Sequence, residues 1–165
     1  MKLIPLTQGK FAKVDDEDYD WLNQWKWLAH KSKCGKRFTA ERNQRIKGER
    51  QKLYIMSRVI LNTDDKNIFV DHINHDSLDN RRCNLRTCTP MENSRNMSPK
   101  SNSSSKYLGV SFTKNRIKRP WRVSICVNKK RLFVKMCETE LEAAKIYDEV
   151  AKKHFGEFAN LNFKN

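Results

Sequence analysis

Acidic residues are scarce in this 165-residue chain: 19 Asp and Glu stand against 34 Lys and Arg, for a formal charge of +15. Long apolar runs are absent as well. Nothing approaches the ~18 consecutive apolar residues that a spanning helix requires. Met1 to Val14 breaks up its apolar residues with Lys2, Lys10 and Lys13 instead of building the apolar stretch of a secretory signal. A soluble protein that is neither exported nor membrane-bound is expected. Five cysteines, Cys34, Cys83, Cys88, Cys126 and Cys137, include no C-x-x-C pair and leave one over in any pairing. That fits neither a disulfide framework nor a four-cysteine zinc site and suits a reducing intracellular compartment. Gly and Pro are few, five and four, while eight Phe, four Trp and four Tyr supply enough large side chains to exclude wholesale disorder.

The length suits one medium domain or two to three small ones. The polar run Ser98-Pro99-Lys100-Ser101-Asn102-Ser103-Ser104-Ser105 has no periodicity and reads as a linker over residues 98–105. It divides the chain into a strand-rich segment (1–51), a central module (52–97) and a C-terminal module (106–165). From Lys106 to Lys135 there are ten basic residues and no acidic one, and the acids that follow begin at Glu138. Such polarity points to a polyanion partner. Membrane binding would call for a lysine-rich amphipathic helix, whereas this stretch reads as strand.

In the C-terminal module, Trp121-Arg122-Val123-Ser124-Ile125-Cys126-Val127 alternates apolar and polar with period two. Arg131 to Met136 does the same, Asn128-Lys129-Lys130 supplies a turn, and Tyr107 to Phe112 reads as a first strand. Pleat geometry predicts one face of Trp121, Val123, Ile125, Val127, Leu132, Val134 and Met136, and a cationic face of Arg122, Ser124, Cys126, Arg131, Phe133 and Lys135. Thr139 and Glu142 form a capping box, and Ala143, Ala144, Tyr147, Val150 and Ala151 recur at helical spacing up to Gly156. The helix would cover the apolar face and leave the other open to the DNA major groove. Tyr107-Leu108-Gly109-Val110, Trp121, Glu142-Ala143-Ala144-x-x-Tyr147-Asp148, Gly156 and Asn162-Phe163 resemble the AP2 DNA-binding domain of plant transcription factors and phage endonucleases. That resemblance implies groove contacts by Arg122, Arg131, Phe133 and Lys135. The family's Leu-Gly-Thr-Phe is Val134-Lys135-Met136-Cys137 here, so the target sequence is not inherited.

In the central module, Ile68-Phe69-Val70-Asp71-His72 is a short strand ending in an acid and an imidazole, followed by a polar loop to Asn80. Asn84 to Cys88 suggests a second strand, and Thr89-Pro90-Met91-Glu92 opens a helix carrying Asn93. Phosphodiester hydrolysis needs an activated water, a counter-charge for the pentacovalent phosphate and help for the leaving 3′ oxygen. Asp71 and the Asn93 carboxamide offer oxygens to a hard divalent ion, His72 can act as general base, and Asn84 can order the loop through backbone hydrogen bonds. Asp71-His72-Ile73-Asn74, Leu78-Asp79-Asn80-Arg81-Arg82-x-Asn84-Leu85-Arg86 and Thr89-Pro90-x-Glu92-Asn93 resemble the HNH endonucleases of the His-Asn-Asn subtype found in phage and intron-encoded homing enzymes. That resemblance implies two strands and a helix around one Mg²⁺ or Mn²⁺ per active site, with Asp71 and Asn93 as ligands, and with Arg81, Arg82 and Arg86 near the phosphates. Where the family has Asp-Gly-Asn this chain reads Asn74-His75-Asp76, and His75 can be a turn residue. Zinc on His72 or His75 with Cys83 and Cys88 is the weaker alternative, because those cysteines are five residues apart without a second close pair.

At the N-terminus, Lys2 to Val14 reads as strand, turn, strand, and Asp15 to Asp20 opens an acidic helix. Trp21, Trp25 and Trp27 are expected in a core. Phe38–Arg42 and Leu53–Met56 are strand candidates flanking a basic loop at Arg45, Lys47 and Arg50; with Arg42 these can touch a DNA backbone or simply face solvent. The expectation is an α+β protein with a β-rich N-terminal segment, a ββα-metal nuclease module and a three-stranded antiparallel sheet packed on one helix. Its partner would be double-stranded DNA, with no membrane and no protein partner implied. A monomer is compatible with one active site per chain, and if the gene is a phage's the enzyme would work in the bacterial cytoplasm. The main rival is a non-catalytic AP2-type regulator with a degenerate nuclease module. An RNA-binding module is disfavoured because the open face lacks paired aromatics that stack bases.

Overall fold

A computed structural model describes residues 1–32, 35, 37–45, 48, 50–96, 102–127 and 130–163. Cys34, Lys47, linker residues 98–101 and turn residues 128 and 129 lie outside these. The chain is α+β and divides into two compact units, Met1–Pro90 and Met91–Asn165.

In the first unit, Lys2–Pro5 (β1) and Phe11–Val14 (β2) pair antiparallel around a 3-10 turn at Thr7–Gly9. Asp16–Leu22 (α1) carries Asp16, Glu17 and Asp18 in its first turn, where the helix dipole favours them. Leu28–Lys31 (β3), Phe38–Gln44 (β4) and Lys52–Ile55 (β5) form an antiparallel sheet in that order, followed at once by Met56–Ile60 (α2). Ile4, Val14, Leu22, Trp27, Met56 and Leu85 belong to one buried cluster, so residues on both sides of position 51 share a single core. Strand β3 escapes the sequence pattern because its buried position is only Ala29, while Leu28 is exposed. Met56 opens a helix instead of closing a strand.

Of the three tryptophans expected in the core, Trp27 is buried but Trp25 is exposed. The Trp25 ring meets Trp21 edge-on and lies 4.3 Å from the guanidinium of Arg42, which is 4.1 Å from Tyr54 on its other contact. Arg42 is therefore an aromatic-held residue of β4, in the strand expected for it. Arg45 and Arg50 are exposed.

Phe69–His72 (β6) and Leu85–Cys88 (β7) make a two-stranded ladder in which Asp71 faces Arg86 and His72 faces Leu85. The loop between them is stitched to the rest of the unit. Lys13 N–H donates to the Leu78 carbonyl, Asn80 N–H to the Lys13 carbonyl, both at 2.8 Å, and Ser77 Oγ to the Phe38 carbonyl at 2.7 Å.

Pro90–Arg95 (α3) follows, and all but its first residue belong to the second unit. There Val110–Phe112 (β8), Trp121–Val127 (β9) and Lys130–Cys137 (β10) form an antiparallel sheet with β9 central. The cap of Glu140–Phe155 (α4) is built by Thr139 Oγ1, which accepts from Glu142 N–H, and by Glu142 Oε2, which accepts from Glu138 N–H. Ala143, Ala144, Tyr147, Ala151 and Phe155 pack on Val110, Val123, Ile125 and Cys137, with the alanines allowing close approach. Gly109 has φ +67, and a Cβ there would overlap the Tyr147 ring. The described end of the expected linker is tied down: Ser105 Oγ donates to Glu140 Oε1 at 2.7 Å, and Ser104 Oγ accepts from Phe112 N–H. Serine hydroxyls that bond nearby backbone give this stretch structure without apolar residues.

One expected face is reversed. The β9–β10 register shifts between Arg131 and Phe133, after which Phe133 faces Ile125, Val134 faces Ser124, Lys135 faces Val123 and Met136 faces Arg122. An extra residue in one strand moves everything beyond it to the opposite face. Phe133 thus packs against the core cluster, Lys135 stands on the same side but is exposed, and Val134 and Met136 join the open face. Among the described residues, no helix is long and apolar enough to cross a membrane.

Candidate active site

Asp71 is buried, with 7 % of its surface exposed, and is ion-paired with its cross-strand neighbour. Arg86 Nη2 and Nε both donate to Asp71 Oδ2, at 2.7 and 3.0 Å. The next residue, His72, necessarily projects to the other side of the strand. It is half-buried, and its Nε2 lies 3.2 Å from Asn80 Oδ1. The Asn80 carboxamide thereby holds the edge of the imidazole ring. Burial pulls the His72 pKa below its ordinary value, opposed by the Asn80 hydrogen bond and by the carboxylates of Asp71, Asp76 and Asp79.

Asn84 is buried in the 3-10 turn Arg82–Asn84 that feeds β7. Its Nδ2 donates to the Asp79 carbonyl at 2.7 Å, and its Oδ1 accepts from Asn74 N–H at 2.9 Å. One side chain thereby spans the loop that runs from His72 to β7. Asn74 adds an Asx-type contact, Oδ1 accepting from Asp76 N–H, and a bond from Nδ2 to Asp79 Oδ2. His75 holds φ +66 and donates its N–H to the His72 carbonyl. It occupies a left-handed turn position that a glycine would fill without strain.

The three arginines expected near phosphate are each held by an acid of the protein. Arg81 forks onto Asp79 at 2.7 and 2.6 Å, and this hydrogen-bonded guanidinium keeps Asp79 below the usual carboxylate range. Arg82 forks onto Asp18, which is 1 % exposed, and its own N–H donates to Asp15 Oδ2. Breaking such a pair would leave a buried charge unpaired, so Arg82 is a clamp between α1 and the site loop. Arg86 holds Asp71. Sequence reasoning passed over Asn80, which belongs to the quoted motif, and Asp18, whose pairing with Arg82 spans 64 positions and leaves no local signal.

Asn93 is half-buried on α3 within the second unit, where Arg95 lies 4.9 Å from the Phe155 ring. Among the described residues no three His, Cys, Asp or Glu side chains gather into a metal-binding group. The donors implied by the motif, a carboxylate and a carboxamide oxygen, form a different kind of set, the all-oxygen kind that hard Mg²⁺ or Mn²⁺ prefers.

In the second unit, the open face of the sheet presents Arg122, Ser124, Cys126 and Arg131 together with Val134 and Met136. Arg122 Nε is buried without a hydrogen-bond partner.

No family model and no solved structure matches the chain. Among curated proteins it is similar to an uncharacterized HNH endonuclease, L560, of Acanthamoeba polyphaga mimivirus. The two are 32% identical over 160 residues, which cover 97% of this chain and 79% of the viral protein. A strand-end acid and imidazole, a loop spanned by one asparagine, and a relative that matches nearly all of this chain agree, and the chain belongs to the HNH endonuclease family.

Proposed function

We propose that this protein is a metal-dependent DNA endonuclease that hydrolyses phosphodiester bonds, with an AP2-like C-terminal sheet that reads the duplex in its major groove. The reading rests above all on His72 at the end of β6 beside Asp71, with its loop tied by Asn84. His72 takes the proton of the attacking water, while its contact with Asn80 fixes the ring. Asp71 would offer oxygen to one Mg²⁺ or Mn²⁺, and Asn93 is a ligand only by what the sequence motif implies. When bound, the ion supplies positive charge for the pentacovalent phosphate and the departing 3′ oxygen. Arg86 orients the Asp71 carboxylate, and Arg82 stays a structural clamp.

In the AP2-like unit, Arg122 and Arg131 meet duplex DNA from the open face, and the basic run Lys106 to Lys135 neutralises phosphates. Binding positions the chain and the HNH module cuts, which predicts steep loss of affinity with salt. By resemblance the protein is of the phage-type homing class, with a long recognition site.

Incubating the full chain with supercoiled plasmid and Mg²⁺ or Mn²⁺ tests the catalytic reading. Loss of supercoiled DNA that disappears in His72→Ala, with duplex binding retained, supports it. Equal conversion by the variant removes His72 from the mechanism, and binding without conversion under either metal leaves a DNA-binding regulator. Selection of cleaved sites from random duplexes tests the homing class, which requires a long preferred sequence.

A further inference from the structure

We infer that Val134 and Met136 recognise thymine methyl groups, so that the open face of the β8–β9–β10 sheet selects thymine-bearing steps in the major groove. The inference rests on the proposed docking of this sheet on duplex DNA and adds what that sheet would discriminate.

Its starting point is the shifted register after Arg131. Val123, Ile125 and Cys137 are all at most 2 % exposed beneath α4, so their face is covered. Val134 pairs with Ser124 and Met136 with Arg122, which puts both side chains on the uncovered face. Val134 is 45% exposed. Its neighbours on that face are small or cationic: Ser124 opposite it, Arg122 opposite Met136, and Arg131 beyond.

A face built only to neutralise phosphate gains nothing from a valine placed between two arginines and a methionine opposite one of them. A groove-reading face does gain. The thymine C5-methyl is the one apolar feature of the major-groove edge, and it is read by apolar contact, while arginine reads guanine or holds phosphate. Charge decides between this occupant and an apolar protein surface. The segment from Lys106 to Lys135 holds ten basic residues and no acid, which favours a polyanion.

The test uses the full chain in metal-free buffer with chelator, at one fixed salt concentration, and measures binding to poly(dA-dT) and poly(dA-dU) duplexes of equal length. These differ only in the methyl group. Wild type is expected to bind the thymine duplex about threefold to tenfold more tightly, the scale of burying one or two methyl groups. The double variant Val134→Ser, Met136→Gln should bind both duplexes equally, at the wild-type affinity for the uracil duplex. Equal affinities in wild type, or discrimination that survives in the double variant, overturn the inference while leaving DNA binding intact. Failure to bind either duplex instead overturns the underlying reading of the sheet as a DNA-binding surface. A wild type that binds both duplexes equally overturns the inference whether or not the double variant folds, and if that variant does not fold the single changes Val134→Ser and Met136→Gln carry the comparison.

Discussion

His72 Nε2 lies 3.2 Å from Oδ1 of Asn80, and Asn80 is itself pinned to β2 by its backbone N–H on the Lys13 carbonyl. The imidazole is therefore aimed by a residue eight positions away whose place depends on the N-terminal hairpin. With only 1 % of Asn80 exposed, water is a poor substitute for its carboxamide.

Asn80→Leu should keep the shape of the site and lose the acceptor. Cleavage is expected to slow by about 10- to 100-fold, part of the 10²- to 10⁴-fold that a positioned base supplies, with duplex affinity little changed. Asn80→Asp retains an acceptor and should recover part of the rate. Single-turnover cleavage and anisotropy separate the two effects, and equal rates in wild type and Asn80→Leu would remove Asn80 from the positioning of His72.

The Asp79–Arg81 pair carries a pH signature in stability. The folded-state pKa of Asp79 is lowered by Arg81 relative to an unfolded value near 3.9. The pair's contribution is fully present above about pH 4 and is lost as pH falls through the lower, folded value. Urea midpoints measured from about pH 5 downward should drop in this window. In Asp79→Asn the midpoint should be lower at neutral pH, and its fall with acid shallower.

At Gly109 a side chain meets two obstacles, the left-handed φ and the Tyr147 ring. Gly109→Ala should cost about 1 to 2 kcal/mol for the backbone and about 1 to 3 kcal/mol for overpacking. Pairing it with Tyr147→Leu should restore part of the second amount. A double-mutant cycle on unfolding measures that coupling, and additive losses would mean that the ring is not the obstacle.

His75 offers the opposite case. Its φ of +66 strains a residue with a Cβ, so His75→Gly should change stability by no more than about 1 kcal/mol in either direction, relief of strain offsetting the added backbone freedom. Metal-dependent cleavage should persist. Loss of cleavage with the fold intact would instead give His75 a part in the chemistry.

Local pattern carries a good share of this protein. The alternation in Trp121–Val127, the helical spacing of Ala143, Ala144, Tyr147 and Ala151, and the Thr139–Glu142 cap are read within a few residues because pleat and helix periods are properties of the backbone. The run from Asp71 and His72 to Asn84 is legible for a similar reason: a short ladder and its loop keep the participants close in sequence. What tertiary structure decided lies elsewhere. The shift after Arg131 turned Phe133 inward and Val134 and Met136 outward, because strict alternation has no term for an extra residue. Arg82 found Asp18 across 64 positions, Trp25 found Arg42, and Asn80 reached His72 only because its loop is stitched to β2. Those partners are set by which elements dock on one another, and docking depends on the whole shared core, not on any window of the chain.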